Sequence, residues 1–456
     1  MEKKIDMTKG GIIAGVVAFA VPLLIGNLFQ QFYSMVDSIV VGNFDGHTAL
    51  SAVGTAAMPA QVLTALFLGI GTGAGIMVSQ YMGAGDMDSI RRTLHTGNGF
   101  LLACSLPLTV LGVLAAPWVL RFMNVPDEAF GLSQSYLAIL LLGTVASLGY
   151  NMNAGVLRGM GDSRSPLYFL IFACVVNIVL DVLFVAVFHL SAAGVGAATV
   201  IAQFSAWFYS IWHIRRKYPE LDLRLLRFSV DRGNLRQMIR LGLPIGFNNA
   251  VFSLGFVLLN SLINQQGTIF MAGVTAASRV DNLIFLPIAS FGAAATTFAG
   301  QNVGALQIHR LKEGFRKILL LTLGVNIALG AVILLLGKYA LYMFTQEPEV
   351  IAVGLQCMWW LVPGYSVYVV FNTCCCFMNG AGEVRVPTLS SLLMFWGVRI
   401  PAAYLLFDAL GRDYIYGAYP ISWVAGVIIA GGYYLSGRWK RHFSARLAEP
   451  AQSLPE

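Results

Sequence analysis

Apolar residues run along this chain in stretches of about 20 residues or more, separated by short clusters of Gly, Pro and charge. A stretch of that length crosses the hydrocarbon of a bilayer as a helix, which keeps its backbone hydrogen bonds to itself. Twelve such spans are expected, centred near Leu28, Leu66, Pro107, Leu141, Val176, Gln203, Val251, Phe285, Ala328, Pro363, Phe395 and Ala425. Polar positions inside them are few and therefore informative. In the first stretch, Gly11 to Val41, the residues Asn27, Gln30, Ser34 and Asp37 recur at spacings of three, four and three, which puts them on one helix face. A polar stripe on a membrane helix faces protein or water, so this helix is predicted to line a cavity. Pro22 lies in the same stretch and predicts a kink. A carboxylate in hydrocarbon is costly, and Asp37 is accordingly the first functional candidate.

Composition agrees with the pattern. Of 456 residues, 57% are hydrophobic and 11% charged, which excludes an ordinary soluble domain and predicts an all-α polytopic membrane protein. No small-residue cleavage site follows Lys3, Lys4 and Lys9, so the first span reads as uncleaved. The net charge of +7 is a topology signal rather than a nucleic-acid footprint, because Lys and Arg fall in alternate loops. One side holds Lys3 to Lys9, Arg91, Arg92, Arg158, Arg164, the run Arg215 to Arg240, Arg310 to Lys317, Arg385 and the tail from Arg438. The other holds only Arg121, Lys338 and Arg412. Both termini are therefore expected in the cytoplasm, with anionic lipid head groups as the partner of the basic loops. The six cysteines lie in apolar segments without metal-type spacing and read as small core residues.

The chain also repeats. Gly155 to Pro166 (GVLRGMGDSRSP) matches Cys376 to Pro387 (CFMNGAGEVRVP), and Gln80, Gly83 and Ala84 match Gln301, Gly304 and Ala305 at the same offset, with Pro22 matching Pro244 one residue further along. The repeat predicts twelve transmembrane helices in two six-helix lobes related by a pseudo-two-fold along the membrane normal. The expected boundaries are 1–214 for the first lobe, 215–237 for a basic cytoplasmic linker, 238–437 for the second lobe and 438–456 for a cytoplasmic tail.

Asp37 lies fifteen residues beyond Pro22, and Asp181 fifteen beyond Pro166, so both acids stand roughly 22 Å along their helices. Asn177 shares the helix face of Asp181. Thr199 and Tyr136, early in their descending spans, reach a similar depth. Together they form an all-oxygen set suited to a monovalent cation such as sodium or to a proton relay. In the second half Leu259 and Ala402 replace the acids, and Asn249, Ser253, Asn260 and Asn264 keep a polar face. Its charges inside the spans are Arg279, Asp281 and Arg399; Asp281 is expected to pair with Arg399 in a structural role.

These residues resemble the multidrug and toxic compound extrusion (MATE) transporters over essentially the whole chain: the Pro22 to Asp37 stretch, SQYMGAGD with its GQNVGA echo, and RGMGDSRSP followed by NIVLD. The resemblance implies two lobes in an outward-open V that export drugs in exchange for sodium ions or protons. It implies cation-coupling roles for Asp37, Asn177, Asp181 and Thr199, and a hinge at Pro22. Asn27, Gln30, Ser34, Tyr136 and Asn260 are the candidates for a substrate cavity. Acids that other branches carry in the seventh and tenth helices are missing here, which places coupling in the first lobe. The expected protein is a monomeric exporter of amphipathic, cationic small molecules in the cytoplasmic membrane, without a cofactor. A lipid-precursor flippase of the same superfamily and a membrane enzyme are the alternatives. The scattered histidines form no HExxH or paired motif for the latter.

Overall fold

The computed structural model describes residues 4–44, 46–123, 125–223 and 230–440, with the side chains of 34, 38, 43–51, 58, 61 and 63 outside the description. Parts of the expected linker and tail thus lie outside the described residues. The fold is built from long apolar helices: α1 (Ile12–Phe44), α2 (Gly46–Ala84), α3 (Met87–Phe122), α4 (Asp127–Leu142), α5 (Thr144–Gly159), α6 (Arg164–Asp181), α7 (Ser191–Lys217), α8 (Arg232–Asn264), α9 (Thr268–Gly304), α10 (Ile308–Tyr342) and α11 (Pro348–Gly380). The eleventh span is α12 (Arg385–Leu392), a π-helical segment and α13 (Ile400–Leu410). The last combines a 3₁₀ turn, α14 (Ala418–Gly426), a second π segment and α15 (Gly432–Leu435). Among the described residues eleven helical stretches are long and apolar enough to cross a bilayer, and the pair α4 and α5, bent by 45°, makes a twelfth. The bend falls at Gly143, where a Cβ would stand 2.5 Å from Val200 of α7.

The chain divides into two compact units. One comprises Met1–Ile5 and Val21–Asn249, the other Asp6–Ala20 and Ala250–Glu456. The chain passes from one unit to the other at Ile5/Asp6, at Ala20/Val21, one residue before Pro22, and at Asn249/Ala250 in α8.

In the first unit, helices meet on glycine. A Cβ on Gly155 of α5 would lie 2.6 Å from the Gly71 carbonyl of α2, and one on Gly159 2.6 Å from that of Gly75. Two residues round the same helix, Gly73 and Gly69 face Gly242 and Gly246 of α8; a Cβ on Gly73 would lie 2.7 Å from the Gly242 nitrogen. Lipid offers no hydrophobic drive between helices, so such small-residue contacts supply close packing instead.

The repeated motifs are helix terminators. Asp162 N bonds to Leu157 O and Glu383 N to Met378 O, each at 2.9 Å, across Gly161 and Gly382 with φ of 88° and 89°. These left-handed caps explain why both copies keep that glycine. In the other pair Gly85 has φ 76°, but its counterpart is Leu306 at φ 57°. A left-handed leucine costs about 1 kcal/mol or more, so Leu306→Gly should raise the melting temperature slightly in a thermal-unfolding assay.

Asp162 itself is buried in a polar knot. It accepts from Ser165 Oγ (2.6 Å), Tyr218 Oη (2.7 Å) and Lys217 Nζ (2.9 Å), while His213 Nε2 lies 2.9 Å from Ser165 Oγ. Burial alone pushes this carboxyl up, but the hydrogen bonds from Ser165, Tyr218 and Lys217 outweigh it and hold it below its ordinary value. Its contribution to stability is therefore complete above the ordinary carboxylate value of about 4 and is lost only as pH falls through the lower folded value. Asp162→Asn should cost about 3–5 kcal/mol, as for a broken buried pair, and the loss, read as denaturation midpoint, should be the same from pH 5 to 8.

Candidate functional site

The polar stripe of α1 meets α6 and α7 in the interior of the first unit. Asp37, Asn177, Asp181 and Thr199 are all buried, Asn177 and Asp181 completely. The carboxyl groups of Asp37 and Asp181 stand side by side, with Asn177 against Asp181. Among the described residues, Asp37 Oδ1, both carboxylate oxygens of Asp181 and both polar atoms of the Asn177 amide find no hydrogen-bond partner outside this trio. Among the described residues no Lys or Arg forms an ion pair with either acid. Two adjacent buried carboxylates cannot both stay ionised at modest cost without a counter-charge. The chain turns π-helical directly after Asp181, over Val182–Val187, a departure common at functional sites.

Thr199 is held by Tyr33, whose Oη donates to Thr199 Oγ1 at 3.1 Å. The polar-stripe reading passed over Tyr33, although it lies four residues before Asp37 and three after Gln30. Tyr136 packs into an apolar cluster with Val40, Val41, Leu120, Val185 and Val195. These residues flank the acids on the side away from the Pro22 end of α1. On the Pro22 side the unit holds a cavity of about 200 Å³, walled by Pro22, Asn27, Gln30 and Tyr33 of α1, Tyr150, Asn151 and Arg158 of α5, and Gln203 of α7. Asn27 and Gln30 thus line a cavity, and Ser34's side chain lies outside the described residues. Asn260 is exposed on α8 in the other unit. Arg158, assigned by charge to a basic loop, is a wall residue, because α5 continues through it to Gly159.

The second unit corrects one expectation. Among the described residues Asp281 makes no direct ion pair with Arg399 and feels its charge only through space: it accepts from Tyr365 Oη at 2.6 Å, and its other oxygen is buried with no hydrogen-bond partner among those residues. Arg399 donates Nε to Ser422 Oγ at 3.0 Å and lies 4.3 Å from the Tyr419 ring centre and 4.9 Å from that of Phe395. Aromatic faces replace the carboxylate because a desolvated guanidinium gains as much as about 2 kcal/mol from each good stacking site. On a packing role for both residues, Asp281→Asn or Arg399→Gln should lower the melting temperature in detergent by an amount equivalent to about 1–3 kcal/mol. Equal stability with a specific loss of substrate affinity would overturn that role.

The MatE family model matches the chain twice, over residues 22–183 and 244–405. The chain belongs to the MatE family. Both matches begin at a repeated proline, Pro22 and Pro244, so the internal repeat is that of the family itself. Membership makes this MatE protein a multi-pass membrane transporter of small molecules rather than an enzyme. It is similar to the probable multidrug resistance protein YpnP of Bacillus subtilis, with 28% identity over 96% of this chain and 98% of the relative. It is also similar to the probable multidrug resistance protein NorM of Thermotoga maritima, with 24% identity over 93% and 92%. Its fold matches the outward-facing conformation of a multidrug resistance MATE family transporter, with a TM-score of 0.87 and 22% identity over 98% of this chain and all of the other. Among the described residues no group of three or more His, Cys, Asp or Glu is placed to hold a metal ion. The donor set of this MatE site is two carboxylates, an amide and a hydroxyl.

Proposed function

We propose that this protein exports amphipathic, cationic small molecules in antiport with sodium ions or protons, and that Asp37, Asn177, Asp181 and Thr199 carry the coupling. The observation that bears this reading is the buried Asp37 and Asp181 pair, which among the described residues has no Lys or Arg paired with it and has a cavity on the Pro22 side. A proton, a sodium ion or the ammonium of a drug each supplies the missing charge. Hard oxygen donors suit sodium, and adjacent carboxyls suit a shared proton. Because one pair serves all three, drug and coupling cation compete for the same compensation, which is the minimum requirement of an exchanger. The multidrug resistance names of the Bacillus and Thermotoga relatives support the substrate class. The distribution of Lys and Arg supports both termini in the cytoplasm, and so a cavity that faces the cytoplasmic side of the acids.

Dye efflux from vesicles, with sodium and proton gradients imposed one at a time, tests the proposal. Export driven by at least one gradient is the expected result. Export indifferent to both gradients refutes the antiport.

A further inference from the structure

The cavity on the Pro22 side carries a charge that a simple cationic ligand does not explain. Arg158 is the one charged side chain in its wall, whose other polar groups are neutral amides and hydroxyls such as Asn27, Asn151 and Gln203. Among the described residues Arg158 makes no ion pair, no hydrogen bond and no ring stack, and the titratable group that its charge meets is the Tyr150 phenol rather than a carboxylate. An arginine near the end of a membrane helix ordinarily snorkels out to the head groups. Side chains tilt toward the N-terminus of their helix, however, and Arg158 stands one residue before the end of α5, so it reaches back into the span and onto the cavity. A guanidinium withdrawn from bulk water is costly to leave without an acceptor. The turn that follows does not need the charge. In the internal repeat Arg158 corresponds to Asn379, yet both copies end their helix alike, with Asp162 N on Leu157 O and Glu383 N on Met378 O at 2.9 Å, across Gly161 and Gly382. A neutral side chain therefore suffices for the fold at this position, and the positive charge belongs to what the cavity of the first unit holds.

The two ends of the cavity differ in sign. Eleven residues separate Pro22 from Tyr33 on α1, and Ser147 from Arg158 on α5, so the space extends about 16 Å along the helices. A Cβ on Gly26 of α1 would lie 3.6 Å from Leu167, so Pro22 is level with the start of α6, which Arg158 precedes by six residues. Arg158 thus marks the Pro22 end, and Tyr33, one turn before Asp37, marks the other. We propose that Arg158 is an anion subsite of this cavity, and that the ligands held best are zwitterions, with a carboxylate on Arg158 and an ammonium toward the acid pair. One guanidinium balances one negative charge, and its planar fork matches the two oxygens of a carboxylate. An apolar space of about 150 Å³ takes benzene, so this one, of about 200 Å³, takes a substituted aromatic ring. The ammonium end rests on the exporter reading above; the carboxylate end does not. The subsite also removes a conflict within that reading, because a wall whose charge is positive repels a simple cation and accepts one that brings its own anion.

A pair of probes that differ only in the acid tests the subsite. The zwitterion para-(trimethylammoniomethyl)benzoate and its methyl ester, a cation of nearly the same shape, are titrated into the full-length protein in detergent by isothermal calorimetry at one pH and one sodium concentration. The zwitterion is expected to bind at least about tenfold more tightly, as for hydrogen bonds between charged groups. Arg158→Asn, which copies the residue of the second repeat, should bring the two affinities together, and Arg158→Lys should keep part of the difference. Thermal melts report folding of both variants, and if Arg158→Asn folds poorly the unsubstituted protein and Arg158→Lys decide. Equal affinities in the unsubstituted protein, or a difference that persists in folded Arg158→Asn, overturn the proposal. An ester affinity that climbs with chloride until it equals that of the zwitterion makes the partner a free halide and overturns it equally. Asp37→Asn separates this proposal from the exporter reading, since it should weaken both probes alike and leave their ratio. A tenfold ratio beside affinities that Asp37→Asn leaves unchanged refutes the acid pair as the ammonium site while Arg158 stands as the anion subsite.

Discussion

Asp37→Asn leaves the protein inserted and folded while abolishing cation-coupled export. The amide keeps the shape of the carboxylate and removes its charge, so the apolar cluster of Val40, Val41 and Tyr136 is undisturbed. Asp181 remains beside it, and the variant resembles the protein with one acid permanently neutralised. The one carboxyl left, Asp181, is fully buried and keeps its own proton throughout the cycle, so neither drug nor coupling cation has reason to displace the other. Transport in vesicles under an imposed gradient should drop to the level of protein-free vesicles, with a normal elution profile and melting temperature in detergent. Gradient-driven export at the original rate by a folded Asp37→Asn protein would remove the acid pair from the mechanism.

Raising the coupling cation should weaken drug binding by roughly 5- to 150-fold, the range of typical coupling energies of about 1–3 kcal/mol. With the acids charged, their cavity is favoured in a hydrated state that accepts a cationic drug. A bound proton or sodium removes that bias. Linkage then requires each ligand to weaken the other by the same factor. Pro22 offers the place for the two states to differ, because it removes one backbone hydrogen bond in α1 next to the point where the helix passes from one unit to the other. Equilibrium dye binding at several pH and sodium values measures the factor. In Asp37→Asn the dependence should vanish. Affinity indifferent to both cations in the unsubstituted protein contradicts the competition even if export itself is driven by a gradient.

The acids were legible because charge in an apolar run is unmistakable and because their equal distances from Pro22 and Pro166 placed them at one depth. The cavity wall on α5 was not. Tyr150 and Asn151 carry no motif, and their position follows from the bend at Gly143, which depends on Val200 of another helix. Arg158 was misplaced by its own charge and by the RGMGDSRSP turn that follows it, which together read as a loop, whereas α5 continues through it to Gly159. Tyr33 was hidden because an aromatic ring reads as lipid-facing until its hydroxyl is seen on Thr199. Asp281 and Arg399 were paired by sign alone, whereas Tyr365 and the Tyr419 and Phe395 rings satisfy them separately. The number of spans and the common depth of the two acids are thus legible without coordinates, and the partners of Asp281 and Arg399 are not.

The stripe of Gly69 and Gly73 has a consequence for how the protein is made. These glycines are covered by Gly242 and Gly246, which belong to the same compact unit although they open the second repeat. Conversely Asp6–Ala20, near the start of the chain, belongs with the unit whose remaining residues, from Ala250 on, are made last. During synthesis the first six spans therefore enter the membrane with bare backbone on α2 and with the beginning of α1 still unaccompanied. A ribosome stalled before Arg232 leaves a product that lacks its own closing helix, and one released there can complete itself only by borrowing α8 from another chain. Each repeat lends the other its opening half-helix, so the two gene halves should restore a folded product when translated together and fail when translated apart.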